Sequence, residues 1–282
     1  MYEIIFFLLI PFIAMLYEGL HRKINARLQN RIGPPIIQPF YDIKKLFQKK
    51  KLKSQNDPFF NYSPIFYFLS TYALFLFIPF SIIAFNFDFV VLAYITILSS
   101  AFYVLAGLSS DNPFGIVGSM REMILMVAYE IALVIVVFNF VIRAGVLSLG
   151  NFDSTFLLLS APISSAALAA ILLVELHITP MDTSEAAAEI MSGSGTEYSG
   201  RSLAFFELAT YLKRLFFVFL MPMLLFSKDI IMILPLSLLF LFIYSFTQAT
   251  TPRYRVDQAF KVCFLIMILA LIDFIIIMRG II

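Results

Sequence analysis

Eight stretches of this chain, roughly 3–20, 64–85, 89–108, 120–142, 155–176, 203–226, 230–249 and 260–280, stay apolar for most of their length. A bilayer core takes about 20 apolar residues per helix, so each is long enough to cross or nearly cross it. The runs are continuous, whereas barrel strands alternate over about ten residues, so a β-barrel is excluded. With 61% hydrophobic residues and a mean hydropathy of +0.93, too little remains to build a water-facing surface. The expected fold is an all-α polytopic membrane protein of about eight transmembrane helices. It forms a single transmembrane domain over 1–282, with the lipid bilayer as its first partner and no sign of nucleic-acid binding.

Charge placement orients the bundle. Ten of the 20 Lys and Arg residues fall between Arg22 and Lys53, directly after the first span. The positive-inside rule puts that loop in the cytoplasm and the N-terminus outside. Cytoplasmic loops are then expected at about 21–63, 109–121, 177–202 and 250–260, and eight spans return the C-terminus to the outer face of the cell's inner membrane. The basic residues follow the first apolar run, and no small-x-small site ends it, so that run is not expected to be a cleavable signal peptide. Pro64 is expected to open the second span, and Asn86–Asp88 to turn it into the third.

The most unusual stretch runs from Glu175 to Tyr211. Glu175, Asp182, Glu185, Glu189 and Glu197 fall there, while no Lys or Arg occurs from Ala144 to Gly200. Carboxylates held between membrane helices point to proton or cation traffic. Asp182 and Glu185 suit a capping box ahead of the three alanines at 186–188. If that piece is helical, Asp182, Glu185 and Glu189 fall within about 60° of one another. Like charges so placed should raise each other's pKa. Glu130 lies inside the fourth span, where a central carboxylate costs about 2.5–3.5 kcal/mol on insertion scales. Glu122 stands at that span's mouth and reads as interfacial. The sixth span carries Glu207, Lys213 and Arg214, with Glu207 and Arg214 two turns apart on one side. Asp273 lies near the outer end of the eighth, facing either a polar interior or the interface.

In the first loop, Gly33-Pro34-Pro35 breaks the chain. Ile36, Ile37, Phe40, Ile43, Leu46 and Phe47 then recur at helical spacing beside lysines, which predicts an amphipathic helix on the membrane surface. The lysine run 49–53 suits lipid headgroups. Arg22, Arg27 and Arg31 look like contacts to a peripheral protein. Cys263 reads as buried packing. One cysteine and two histidines supply no ligand set for an iron–sulfur cluster and suit no tetrahedral zinc site, so no metal and no bound cofactor are expected on this chain.

Four ordered motifs carry a resemblance over essentially the whole chain. The segments RLQNRIGPPIIQPFYDIKKL at 27–46, AYEI at 128–131, PMD..EAAAEIMSGSGTEYSG at 180–200 and TPRYRVDQAFK at 251–261 are similar to signatures of the subunit-1 family of respiratory complex I. The resemblance implies an eight-helix membrane subunit that joins a peripheral electron-transfer arm to an ion-pumping arm. Arg27, Arg31, Gly33 and Pro34 would meet the peripheral arm, as would Arg253, Arg255, Asp257 and Gln258. Glu130 and Glu175 would be intramembrane carboxylates, with Asp182, Glu185, Glu189 and Glu197 near the reaction chamber. Together with Glu207 and Arg214 they make up the expected proton path.

The chain departs from quinone-reducing members, which usually have Arg at Ile178, Phe at Met181 and Glu at Thr210, and a longer first-loop insert. Its compact first loop looks like that of energy-converting, membrane-bound NiFe hydrogenases and related ferredoxin-oxidising sulfur reductases. That resemblance implies a non-catalytic coupling subunit. Its partners would be a NiFe hydrogenase-like large subunit, a small iron–sulfur subunit and antiporter-like membrane subunits, with the NiFe and iron–sulfur centres in those partners. The rival readings are a quinone-binding complex I subunit, a stand-alone secondary transporter and a plain structural anchor.

Overall fold

The structure is a computed structural model that describes residues 2–50, 57–79, 85–149, 158, 161–191, 193–226 and 229–280. Among these residues every regular element is helical. The elements are α1 (Tyr2–Leu28), α2 (Gln38–Gln48), α3 (Pro58–Ala73), α4 (Asp88–Leu108), α5 (Pro113–Ala144), α6 (Pro162–Glu175), the single turn α7 (Ala187–Ile190), α8 (Gly200–Leu225), α9 (Ile230–Thr250) and α10 (Val256–Met278). Six of them are long and apolar enough to cross a membrane: α1, α4, α5, α8, α9 and α10. With the shorter α3 and α6 they make the eight expected helices.

Sequence punctuation sets the helix ends. Pro58 and Pro113 sit in the first turns of α3 and α5, where a missing N–H does no harm. Asp57 and Asn112 cap those helices by accepting from Phe59 N and Phe114 N. The second span therefore opens at Pro58 and not at Pro64, because Asp57 supplies the cap and Pro64 lies inside the helix. Most of 150–160, where the fifth span was expected to begin, lies outside the described residues, as do 80–84 and most of the lysine run 49–53. Gly145 closes α5 with a left-handed φ of +69°. The first-loop helix α2 forms as its periodicity dictates, burying Ile43 and leaving Tyr41 and Phe47 exposed beside lysines.

Helix α8 is the centre of the bundle. Of its apolar window, 94% is buried, against 28% for α9 and 22% for α10, whose outer faces suit lipid or neighbouring chains. It packs on α1, α2, α3, α6 and α9, while α5 packs on α4, α6 and α10. The chain after α1 folds back so closely on it that a Cβ on Gly19 would collide with the Ile36 carbonyl oxygen. Asp273 is buried. Ser164 donates to it, Arg143 lies 3.7 Å away, and Asn139 donates to Ser164 at 3.0 Å. It thus joins α5, α6 and α10 inside the bundle and is not an interface residue. Cys263 is buried and free, in line with packing.

Candidate functional site

The acidic stretch does not form the helix its spacing suggested. Residues 182–186 are irregular, and only α7 and a short 3-10 turn, Gly193–Gly195, follow. Asp182 caps nothing. Its carboxylate takes a hydrogen bond from Arg253 at 2.5 Å, and Tyr254 N donates to Pro180 O at 2.9 Å. Glu189 is paired with Arg121 at 2.7 Å, and Glu197 accepts from Asn112 at 2.9 Å. The three acids expected on one face therefore diverge, because cations brought in by α5, α8 and the loop before α10 each claim one. Burial raises the Asp182 pKa despite Arg253, whereas the hydrogen bond and charge of Arg121 lower that of exposed Glu189.

A depressed folded-state pKa contributes stability above the unfolded value, lost as pH falls through the folded one. Acidification below the ordinary glutamate value of about 4.3 is thus expected to release α7 from Arg121. Faster hydrogen exchange at 187–190 would report it, and Arg121→Gln should show that fast exchange already at neutral pH.

The remaining loop acid points inward. Glu185 accepts from Tyr103 at 3.2 Å and lies 3.7 Å from Arg214. Tyr103 stacks on His177 with ring centroids 5.1 Å apart. His177 takes a left-handed φ of +49° just past the end of α6. Its Nδ1 lies 3.3 Å from Ser184 Oγ and 3.7 Å from Glu122, which accepts from Tyr129 at 2.7 Å. Glu122 is therefore a buried member of the network, not an interfacial residue. One step further in, Lys213 on α8 reaches Glu175, the last residue of α6, at 2.7 Å and donates to Ser100 on α4 at 2.9 Å. Glu175 is 1% exposed, Lys213 2% and Glu130 4%, and neither Glu130 oxygen has a hydrogen-bond partner among the described residues. Glu130 and Glu175 lie near enough for their charges to act on each other and on Lys213.

On the other side of Arg214, Glu18 receives its guanidinium at 3.1 Å and that of Arg22 at 3.1 Å. Arg22 also binds Asp42 and donates to Tyr211 at 2.8 Å. Within the chain it is held by Glu18, one helical turn before it. Glu207 and Arg214 share a cleft of about 460 Å³ with Glu185, Tyr198, Thr210 and Tyr211. Arg27, Arg31 and Gly33 are exposed, as are Arg255, Asp257 and Gln258, while Pro34 and Arg253 are half-buried. Arg255 and Asp257 pair with each other at 3.2 Å. Glycine is required at 33, where φ is +72° and a Cβ would lie 2.6 Å from Ala26 Cβ.

Glu18, Glu122, Lys213, Tyr103, Tyr129 and His177 are thus network members beyond the expected path. Their sequence signals were weak: a Glu18/Arg22 pair at i,i+4, a Glu122/Tyr129 pair two turns apart, and a lysine next to Arg214 in a largely apolar helix. Among the described residues, no group of three or more His, Cys, Asp or Glu side chains is placed to hold a metal ion.

A family described as NADH dehydrogenase matches residues 2–278, almost the full length. The chain belongs to the NADH dehydrogenase subunit-1 family. It is 29% identical over 256 residues to NADH-ubiquinone oxidoreductase chain 1 of Aedes aegypti, spanning 85% of this chain and 82% of that one. A similar relative is NADH-ubiquinone oxidoreductase chain 1 of Anopheles gambiae, 29% identical over 257 residues, spanning 85% of this chain and 81% of that one. The fold is shared with a chain of an archaeal respiratory membrane complex, the membrane-bound sulfane sulfur reductase. That chain has a TM-score of 0.86 and 22% identity, and 98% of both chains is covered. As a subunit-1 protein, this chain is a membrane subunit of a complex I-related assembly, and its partners are other subunits of such a complex.

Proposed function

We propose that this chain couples electron transfer in a peripheral arm to H⁺ or Na⁺ translocation in a membrane-bound, ferredoxin-oxidising hydrogenase or sulfur reductase of the complex I type. The observation that carries the reading is the interior polar thread. It leads from Arg214 and Glu185 through Tyr103, His177 and Glu122 toward Glu175, Lys213 and Glu130. Buried ionisable groups inside a membrane bundle are costly and mark ion paths. A charge or proton change at the loop would shift the ionisation of its neighbours in turn, since nearby charges in a poorly hydrated interior interact strongly.

The loop carboxylates, with exposed Arg27, Arg31, Gly33, Arg255, Asp257 and Gln258 and half-buried Pro34 and Arg253, supply the surface for the peripheral arm. NiFe and iron–sulfur centres would belong to partner subunits there, with antiporter-like membrane subunits alongside the bundle. Both termini would face outside.

The test is Glu130→Gln in the assembled complex, reconstituted in sealed vesicles. Electron transfer should continue while ion translocation is lost. Unchanged translocation at an unchanged electron rate would refute the coupling role. A second reading, quinone binding, is favoured by the relatives' names and by the polar cleft beside Tyr211. A quinone analogue that inhibits electron transfer, and loses potency on Thr210→Trp, would decide for it.

A further inference from the structure

Resting on that coupling reading, we infer that Lys213 is a tethered counter-ion that changes partners, standing with Glu175 in one state and with Glu130 in the other. Three observations support the exchange. First, Lys213 stands 2.7 Å from Glu175, so one of the two acids already holds the cation. Second, the ammonium also donates to Ser100 at 2.9 Å, on a helix that carries neither acid. An ammonium has three N–H donors on a flexible four-carbon stem, so one remains to turn toward another acceptor. Third, Glu130 is buried with both oxygens unpartnered among the described residues, and its charge and that of Lys213 act on each other. It is a buried acid with no ion pair of its own among the described residues.

The exchange conserves charge. In the proposed scheme the three groups share one ammonium, one carboxylate and one carboxylic acid. When the proton on Glu130 passes to the Glu175 carboxylate, Lys213 moves from Glu175 to the new carboxylate at Glu130. Ser100 Oγ is the anchor from which the ammonium turns. Neither state strands a lone buried charge, and each lets only one acid be ionised, so the proton advances without two carboxylates facing each other. The two acids come from different helices, Glu130 from α5 and Glu175 from the end of α6. The moving cation stands on the most buried helix, α8, whose backbone is held from several sides.

The decisive experiment is the structure of the purified, assembled complex carrying Glu175→Gln. Lys213 Nζ is expected within hydrogen-bond distance of the Glu130 carboxylate and away from residue 175. If Nζ stays beside residue 175 and Ser100 while Glu130 keeps no partner, the exchange is overturned. Lys213→Arg gives an independent reading should that variant fail to assemble. It keeps the charge but replaces the compact ammonium by a rigid fork, so the ion-to-electron ratio should fall severalfold while electron transfer continues. Full coupling in Lys213→Arg would also overturn the proposal. The outcome is separable from the coupling role itself. Unchanged translocation in Glu130→Gln sinks that role, whereas the Lys213 position in Glu175→Gln stands or falls without any transport measurement.

Discussion

Replacing Lys213 by methionine is expected to destabilise the subunit in its complex by about 3–5 kcal/mol. The side chain is buried, donates to Ser100 on α4 and faces Glu175 at the end of α6 at 2.7 Å. Methionine fills much of the same volume, so the loss is not one of packing. It comes from leaving Glu175 with no cation in an interior where an unpaired charge is strongly disfavoured, and where taking up a proton offsets only part of the penalty. Removing one partner of a buried pair is far more harmful than removing both. The double variant Lys213→Met/Glu175→Gln should therefore recover most of the lost stability while still failing to translocate ions. Thermal denaturation of the purified complex reads both, with intact subunit composition as the control. A single variant as stable as the parent would mean that the pair is hydrated, and the idea of a dry interior thread would go with it.

The same pair shows where sequence reading runs out. The eight helices were legible because hydrophobic run length is a local property, and α2 because its apolar residues recur at helical spacing. Glu130 and Glu175 stood out for the same local reason, as acids inside apolar runs. Their partners did not. Lys213 meets Glu175 across 38 positions of sequence, and Glu122 is buried only because α6, α10 and the loop after α6 close over the N-terminal half of α5. The absence of Lys and Arg from 144 to 200 suggested acids left to repel one another. Yet Arg121, Arg214 and Arg253 arrive from elsewhere and separate them, a tertiary fact that no local pattern contains. The alanines at 186–188 promised a helix by propensity. The glycines at 193, 195 and 200 and the close seat of the loop on α4 and α5 allow only one turn.

That seat makes Gly193→Ala the second large expected effect. Gly193 has a left-handed φ of +57°, and a Cβ there would collide with Ser184 O and lie 3.2 Å from Ser184 C, both backbone atoms that cannot swing aside. Gly118 on α5 and Gly107 on α4 are the other half of the fit. A Cβ on Gly118 would meet Gly193 Cα at 2.7 Å, and one on Gly107 would meet Ser194 Cα at 2.8 Å. The left-handed conformation costs an L-residue about 1–2 kcal/mol, and overpacking adds about 1–3 kcal/mol. Together these are expected to lift the loop from its seat, not merely to strain it. Ser184 would move, and with it the neighbours it positions, His177 at 3.3 Å and Glu185 next in the chain. Coupling should therefore fall along with stability, and hydrogen exchange should quicken across 183–198. Gly145→Ala is the matched control, since its φ is +69° but nothing lies within 4 Å of the added Cβ. It should show the conformational cost alone and leave ion transport intact. Equal behaviour of the two variants would mean that contact with α4 and α5 does not hold the loop, and the acids would then need another explanation for their fixed positions.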